Sequence, residues 1–219
     1  MSTKLEKLKQ DLKGSLILPD FVRPRAGLPT GLPNLNQFLL GNGLPTGALS
    51  LAKGSIGSGL THFFSQTAHH LLQKKRWVAW IYNEQFPLQP HLFQFHELSR
   101  LLLIKAPTDS TKLLWVLQET LSLGLFDLVG CDLLKTSFSE RSLIQLKKIA
   151  RQQSSAVLFL DFDHHQRARS SFELILELTP QRIYIERALQ KPTPKSMERR
   201  SSYENIMSQL TGPRRSISG

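Results

Sequence analysis

Short apolar runs alternate with amphipathic segments along most of this chain. Runs rich in β-branched and aromatic residues predict buried strands, and apolar positions at helical spacing predict helices. The runs predict strands over residues 47–52, 77–82, 101–105, 126–131 and 155–160. The amphipathic segments predict helices over residues 59–73, 91–98 and 109–123, and from a capping box at Ser137–Glu140 to about residue 152. Strands that alternate with helices in this way are typical of a doubly wound parallel sheet.

The pattern changes after residue 171. Residues 172–179 alternate apolar and polar positions, which is the period of a half-buried strand. Pro180 and Gln181 turn the chain, and residues 182–187 predict a returning strand. We therefore expect an α/β fold with a mainly parallel sheet, helices on both of its faces, and a C-terminal antiparallel hairpin at one edge.

Both ends of the chain differ from this central pattern. Leu5, Leu8 and Leu12 form the narrow apolar stripe of a short predicted helix over residues 3–13. A connector rich in proline and glycine follows, and Pro33 is placed to open a helix that runs to about residue 40. The predicted organisation is an N-terminal helix and linker over 1–26, a core over 27–187, and a basic, mostly disordered tail over 188–219.

The composition is that of a globular protein, with 40% hydrophobic and 21% charged residues. Cys131 is the single cysteine, so the chain cannot form an internal disulfide, which favours a reducing compartment. The N-terminus has no apolar segment of the signal-peptide type, and no apolar run approaches the roughly 20 residues of a spanning helix. We expect a cytoplasmic protein with no membrane partner.

Positive charge is concentrated at the ends of a chain whose formal net charge is +11. Basic tails bind nucleic acid or acidic partners, although a solvated tail is the simpler alternative. The candidate DNA-binding residues of the tail are Lys191, Lys195, Arg199, Arg200, Arg214 and Arg215. A second candidate basic patch, which is also explained by a solvated face, comprises Lys147, Lys148, Arg151, Arg167 and Arg169.

The sequence from Gly54 to Thr61 has the spacing of a phosphate-binding loop, with one exception. Leu60 stands where the template has the lysine that contacts the β- and γ-phosphates. Lys53 precedes the first glycine and does not occupy that position. We interpret the segment as a degenerate nucleotide loop, although backbone N–H groups at a helix start bind phosphate weakly without a lysine. The residues of this candidate loop are Gly54, Gly57, Gly59, Leu60 and Thr61.

Histidine and tryptophan offer little further chemistry. Neighbouring histidines on a helix diverge, and no cysteine or aspartate spacing completes a zinc site, so we predict no metal site. Trp77, Trp80 and Trp115 lie on predicted buried faces, so we expect all three in the core.

Several motifs together resemble the core of the RecA recombinase family. The segment from Gly43 to Gly47 is similar to the glycine–leucine–proline lead-in of that family, and the glycine loop follows at the expected distance. The predicted strand over 77–82 leads to Glu84, which matches the catalytic glutamate. The segment from Phe126 to Asp132 is similar to the Walker B strand, which places Asp132 at the metal position.

The departures from RecA are equally specific. Leu60 replaces the lysine, Leu92 stands at the adenine-stacking position, and Phe162 stands at the phosphate sensor. The loops that bind DNA in RecA are short here. A RecA-like core with these losses and a basic tail resembles ImuA, an accessory of SOS-linked mutagenic translesion synthesis after DNA damage in bacteria.

The resemblance to ImuA implies a non-catalytic adaptor without ATP or magnesium. Its implied partners are RecA, which the leucine stripe of the N-terminal helix would bind, and the polymerase-like hub ImuB. Two alternatives stay open. One is an active RecA-type ATPase in recombination or repair that uses Glu84, Thr61 and Asp132 with a cation supplied by a partner. The other is a cell-division inhibitor similar to SulA, a relative of ImuA, that binds FtsZ.

Overall fold

The computed structural model describes residues 27–82, 98–133, 136–162, 166 and 168–188. The strands among these residues are β1 (Ala48–Lys53), β2 (Val78–Tyr82), β3 (Leu101–Lys105), β4 (Leu128–Asp132), β5 (Ala156–Asp161), β6 (Leu174–Leu178) and β7 (Ile183–Ala188). The helices are α1 (Pro33–Phe38), α2 (Leu60–Gln73), α3 (Ser110–Ser122) and α4 (Glu140–Gln153). Short 3-10 turns lie at Leu40–Asn42, Leu98–Arg100 and Arg169–Ser171. None of the described helices is long and apolar enough to cross a membrane.

The seven strands form one sheet in the order β3-β2-β4-β5-β1-β6-β7. All neighbours pair in parallel except β6 and β7, which are antiparallel at one edge. The predicted fold class is confirmed, including the C-terminal hairpin. Because parallel strands end on the same side, the segments that follow β1, β4 and β5 meet at the carboxyl edge of the sheet.

Alternate strand residues build two apolar layers, one on each face of the sheet. Trp80 of β2 and Leu158 of β5 lie in the layer that contains Phe63, Phe64 and Leu71 of α2. The opposite layer takes the intervening strand residues, such as Ile81 and Phe159, with Leu117 of α3 and Leu146 of α4. Both faces of the sheet are therefore covered by helices, as the apolar strand patterns predict.

The burial of β6 differs from the prediction. The alternating pattern predicted a half-buried strand, yet Ile175 is buried as well as Leu174 and Leu176. The physical reason is the position of β6, which lies between β1 and β7 rather than at the edge. Ile175 packs with Phe172 in the layer of α3 and α4, so both faces of this strand are covered.

Two of the three tryptophans predicted as core residues are exposed. Trp80 is buried and its ring stacks on Phe64 with centroids 4.2 Å apart. Trp77 is 42% exposed because it lies in the turn before β2, outside the sheet. Trp115 is 60% exposed. Helix α3 buries Leu113 and Leu117, which lie one turn apart on the same face. Trp115 lies two positions after Leu113, about 200° around the helix, and therefore faces solvent.

The predicted capping box of α4 is also wrong. The side chain of Ser139, not that of Ser137, caps the helix, since its Oγ accepts a hydrogen bond from the N–H of Ser142 at 3.2 Å. The helix begins at Glu140, so this glutamate is the first helical residue. A capping box requires a glutamate at the third helical position, from which its carboxylate can bond the backbone N–H of the N-cap residue. That carboxylate instead accepts a hydrogen bond from the hydroxyl of Ser170 at 2.6 Å.

Candidate functional site at the carboxyl edge of the sheet

The glycine segment forms a loop between β1 and α2, as its spacing predicts. The N–H of Gly54 donates to the carbonyl of Asp161 at 3.1 Å, which ties the loop to the end of β5. A Cβ at Gly54 would lie 2.5 Å from both the Leu178 carbonyl oxygen and the Ser58 Oγ, so the loop packs too closely there for a side chain. Gly59 has φ +89° and opens α2 without a side-chain cap.

Leu60 is buried in the core rather than directed toward a ligand. Its side chain is 1% exposed and belongs to the apolar layer that contains α2. In the template, this position carries a lysine that binds the β- and γ-phosphates. Here it carries an apolar anchor for the first turn of α2, and Thr61 beside it is half-buried.

Lys53 is held by carboxylates on the hairpin. Its side chain is 7% exposed, and its Nζ makes ion pairs with Glu186 and, at 3.5 Å, with Glu177. Burial by itself would raise the pKa of Glu186, but hydrogen bonds with Lys53 and Glu177 and the charges of Lys53 and Arg169 outweigh it and lower that pKa. These contacts support the interpretation that Lys53 does not replace the missing lysine of the loop.

Two buried aspartates end the central strands beside the loop. Asp132 at the end of β4 is 2% exposed, and Asp161 at the end of β5 is 1% exposed. The carboxylate of Asp161 accepts a hydrogen bond from the N–H of Gln166 at 3.0 Å. The side-chain amide of Gln166 in turn bonds both backbone groups of Phe138, at 2.9 and 3.1 Å. Asp161 therefore anchors the short linker after β5, a role that the sequence prediction missed although an aspartate at a strand end was visible.

The predicted basic patch on the core is partly neutralised. Lys147 makes an ion pair with Glu173 at 2.8 Å, and Arg169 lies 3.9 Å from Glu186. The side chains of Lys148 and Arg151 are exposed on α4. Two of the five residues of this predicted patch therefore lie beside glutamates, and the role of the patch in DNA binding stays a prediction.

The other predicted site residues lie outside the described parts of the chain. They are Leu5, Leu8, Leu12, Glu84, Arg167, Lys191, Lys195, Arg199, Arg200, Arg214 and Arg215. Among the described residues, no group of three or more histidine, cysteine, aspartate or glutamate side chains is arranged to hold a metal ion. The described part of the site is therefore the glycine loop, the buried Leu60 and the two strand-end aspartates.

In comparisons with known proteins, no family model matches this chain and no curated protein is significantly similar to it.

Proposed function

We propose that this protein is a non-catalytic, RecA-like adaptor in bacterial SOS-linked mutagenic translesion DNA synthesis, and that it binds RecA and a polymerase-like hub. The observation that carries the proposal is the burial of Leu60 at the position where a phosphate-binding loop has its lysine. We place the protein in the cytoplasm, where such partners act.

The charges around the loop support a role without nucleotide turnover. A hydrogen bond from a charged group is worth about 1.5–3 kcal/mol, and Leu60 supplies none to a phosphate. The nearest lysine in sequence, Lys53, is already paired with two glutamates. Asp132 and Asp161 add negative charge at the same edge, which disfavours a triphosphate unless a cation accompanies it.

The protein is expected to hydrolyse ATP no faster than buffer alone. The phosphate lysine is absent, and Leu60 is fixed in the core, so the phosphates gain no cationic contact from this position. Phosphate release from the full-length chain, with and without magnesium and single-stranded DNA, measures this rate. Turnover that disappears in the Glu84→Gln variant would contradict the proposal and favour the ATPase alternative.

The Leu60→Lys variant gives the matched test of the loop. A lysine at a buried apolar position loses hydration, so we expect lower thermal stability and still no strong ATP binding. Leu60→Met conserves volume and polarity and serves as the control for packing. Tight ATP binding by Leu60→Lys would show that the rest of a nucleotide site is intact.

Association with RecA is expected to depend on the leucine stripe of the N-terminal helix. Leu8→Asp with Leu12→Asp should weaken binding to RecA at least about tenfold, because two charges would enter an apolar contact. Binding of the parent should vary little with salt, since apolar contacts are not screened. Titration of labelled RecA at two salt concentrations measures both effects.

The control for added charge is Thr3→Asp with Gln10→Asp, which introduces the same charge off the stripe. This variant should bind RecA as the parent does. An equal loss of RecA affinity in both double variants would show that binding does not depend on the leucine stripe. Binding to FtsZ in place of RecA would favour the division-inhibitor alternative.

A further inference from the structure

The edge of the sheet opposite the glycine loop carries exposed cations around an exposed indole. Lys74, Lys75, Arg76 and Trp77 form the connection from α2 to β2, and all four side chains are exposed. The sequence pattern placed Trp77 in the core. The exposure of Trp77 makes this segment a different kind of surface.

The backbone of this connection is a Schellman turn with an unusual residue at its centre. The N–H of Lys75 donates to the carbonyl of Leu72 at 2.9 Å, and that of Arg76 donates to the carbonyl of Leu71 at 3.0 Å. Lys75 has φ +60°, in the left-handed region where this turn usually has glycine. The chain therefore displays a lysine where glycine would give a more stable turn.

Neighbouring residues bind the backbone of this turn and the side chain of Arg76. The Nη1 of Arg76 donates to the Oδ1 of Asp127 at 2.7 Å, and the N–H of Trp77 donates to its Oδ2 at 3.1 Å. On the other side, the Nη1 of Arg100 donates to the carbonyl of Lys75 at 3.3 Å. Val78 pairs with Leu101 in the sheet, which places Trp77 beside Arg100.

We propose that this basic turn, defined as Lys74, Lys75, Arg76 and Trp77 together with Arg100, binds single-stranded nucleic acid. Lys74 and Lys75 would supply the main phosphate contacts, because Arg76 is paired with Asp127, and the indole of Trp77 would stack on an unpaired base. A double helix offers no free base face to the ring, and an acidic peptide would use the cations but not the indole. The proposal does not rest on the adaptor function, because this surface lies at the opposite edge from the loop.

The first test compares substitutions of Trp77 in the full-length protein. Binding of a labelled oligothymidine of about 16 nucleotides is followed by fluorescence anisotropy. Trp77→Leu should weaken binding at least about fivefold, whereas Trp77→Phe, which keeps an aromatic face, should stay close to the parent. Equal affinities of the leucine and phenylalanine variants would overturn the stacking proposal.

The second test uses Lys75→Gly, which changes stability and binding in opposite directions. Glycine suits the left-handed turn, so the melting temperature should rise. Loss of one phosphate contact should reduce the slope of log affinity against log salt by about 0.7. Lys112→Ala removes one exposed charge from the first turn of α3 and is the charge control. If Lys75→Gly and Lys112→Ala have the same slope of log affinity against log salt, Lys75 of the basic turn does not contact phosphate.

A third measurement separates the turn from the basic tail, which every variant retains. In a Trp115→Phe background, Trp77 is the exposed tryptophan and Trp80 is buried. Stacking of a base on Trp77 should quench the emission, whereas binding through the tail alone should not. Unchanged emission at saturating oligothymidine would overturn the proposal. Binding to anionic vesicles or an acidic peptide in preference to the oligonucleotide, with the same dependence on Trp77, would also overturn it.

Discussion

The Gly130→Ala variant is expected to be less stable than the parent by about 3 kcal/mol. Gly130 lies in β4, between β2 and β5, so its backbone is held on both sides. An added Cβ would overlap the Cε2 of Phe64 and lie 2.7 Å from the Cε3 of Trp80. Phe64 is fully buried and stacked on Trp80 with centroids 4.2 Å apart, so Trp80 opposes a movement of the Phe64 ring away from the new methyl group.

Thermal or denaturant unfolding measures this loss, and the expected fall in melting temperature is roughly 6–12 °C. The double variant Gly130→Ala with Phe64→Leu tests the cause, because the smaller leucine leaves space for the new methyl group. The double variant should lose less stability than the sum of the two single variants, by about 1 kcal/mol or more. Additive losses would show that contact with Phe64 is not the reason.

The Lys53→Met variant is expected to lose about 2 kcal/mol at neutral pH. Breaking a fully buried ion pair costs about 3–5 kcal/mol because a charge is left unpaired in the interior. The side chains left behind, Glu177 and Glu186, are 37% and 29% exposed, so water screens part of their repulsion. Arg169→Met is the matched control: the side chain of Arg169 is 50% exposed, its Nη1 lies 3.9 Å from Glu186, and its removal should cost under about 1 kcal/mol.

The loss caused by Lys53→Met should shrink in acid. The folded protein lowers the pKa of Glu186, so the stabilisation is present above the unfolded pKa of about 4.3 and is lost as pH falls through the folded value. Unfolding free energies measured from pH 7 down to pH 3 check this. Adding Glu186→Gln to Lys53→Met should restore part of the stability. If the loss of unfolding free energy in Lys53→Met stays constant with pH, its cause is the lost packing of the lysine side chain and not the ion pairs.

The fold class was predictable because each central strand is a contiguous apolar run. Residues 155–160 predicted a strand that the structure places at Ala156–Asp161, and the alternation with helices specified a parallel sheet. The glycine loop was also found, since its spacing is local. Local signals of this kind do not require knowledge of which strands are neighbours.

The burial of the tryptophans was not predictable in the same way. Residues 113–117 are five consecutive apolar residues, so periodicity alone does not show which of them face the sheet. The structure buries Leu113 and Leu117 and leaves Trp115 exposed. Trp77 was assigned to a strand that begins one residue later, at Val78. An error of one position at an element boundary was enough to change its assignment from surface to core.

The ion pairs of the site depend on strand order, which the sequence pattern does not give. Lys53 on β1 meets Glu177 and Glu186 because β6 lies beside β1 and β7 beside β6. Asp161 meets Gln166 across a linker that has no helix or strand signal. The roles of Glu84, the leucine stripe and the basic tail stay predictions, since those residues lie outside the described chain.

The pairing of β1 also sets when the glycine loop can take its final position during synthesis. Among the described strands, β1 is the first to leave the ribosome, yet its two neighbours are β5 and β6, and Ala48 pairs with Ala156. At bacterial to eukaryotic elongation rates, translation of the intervening chain takes roughly 5–20 s. The loop therefore reaches its final position only after β5 and β6 have been synthesised, so its folded shape is absent from shorter nascent chains.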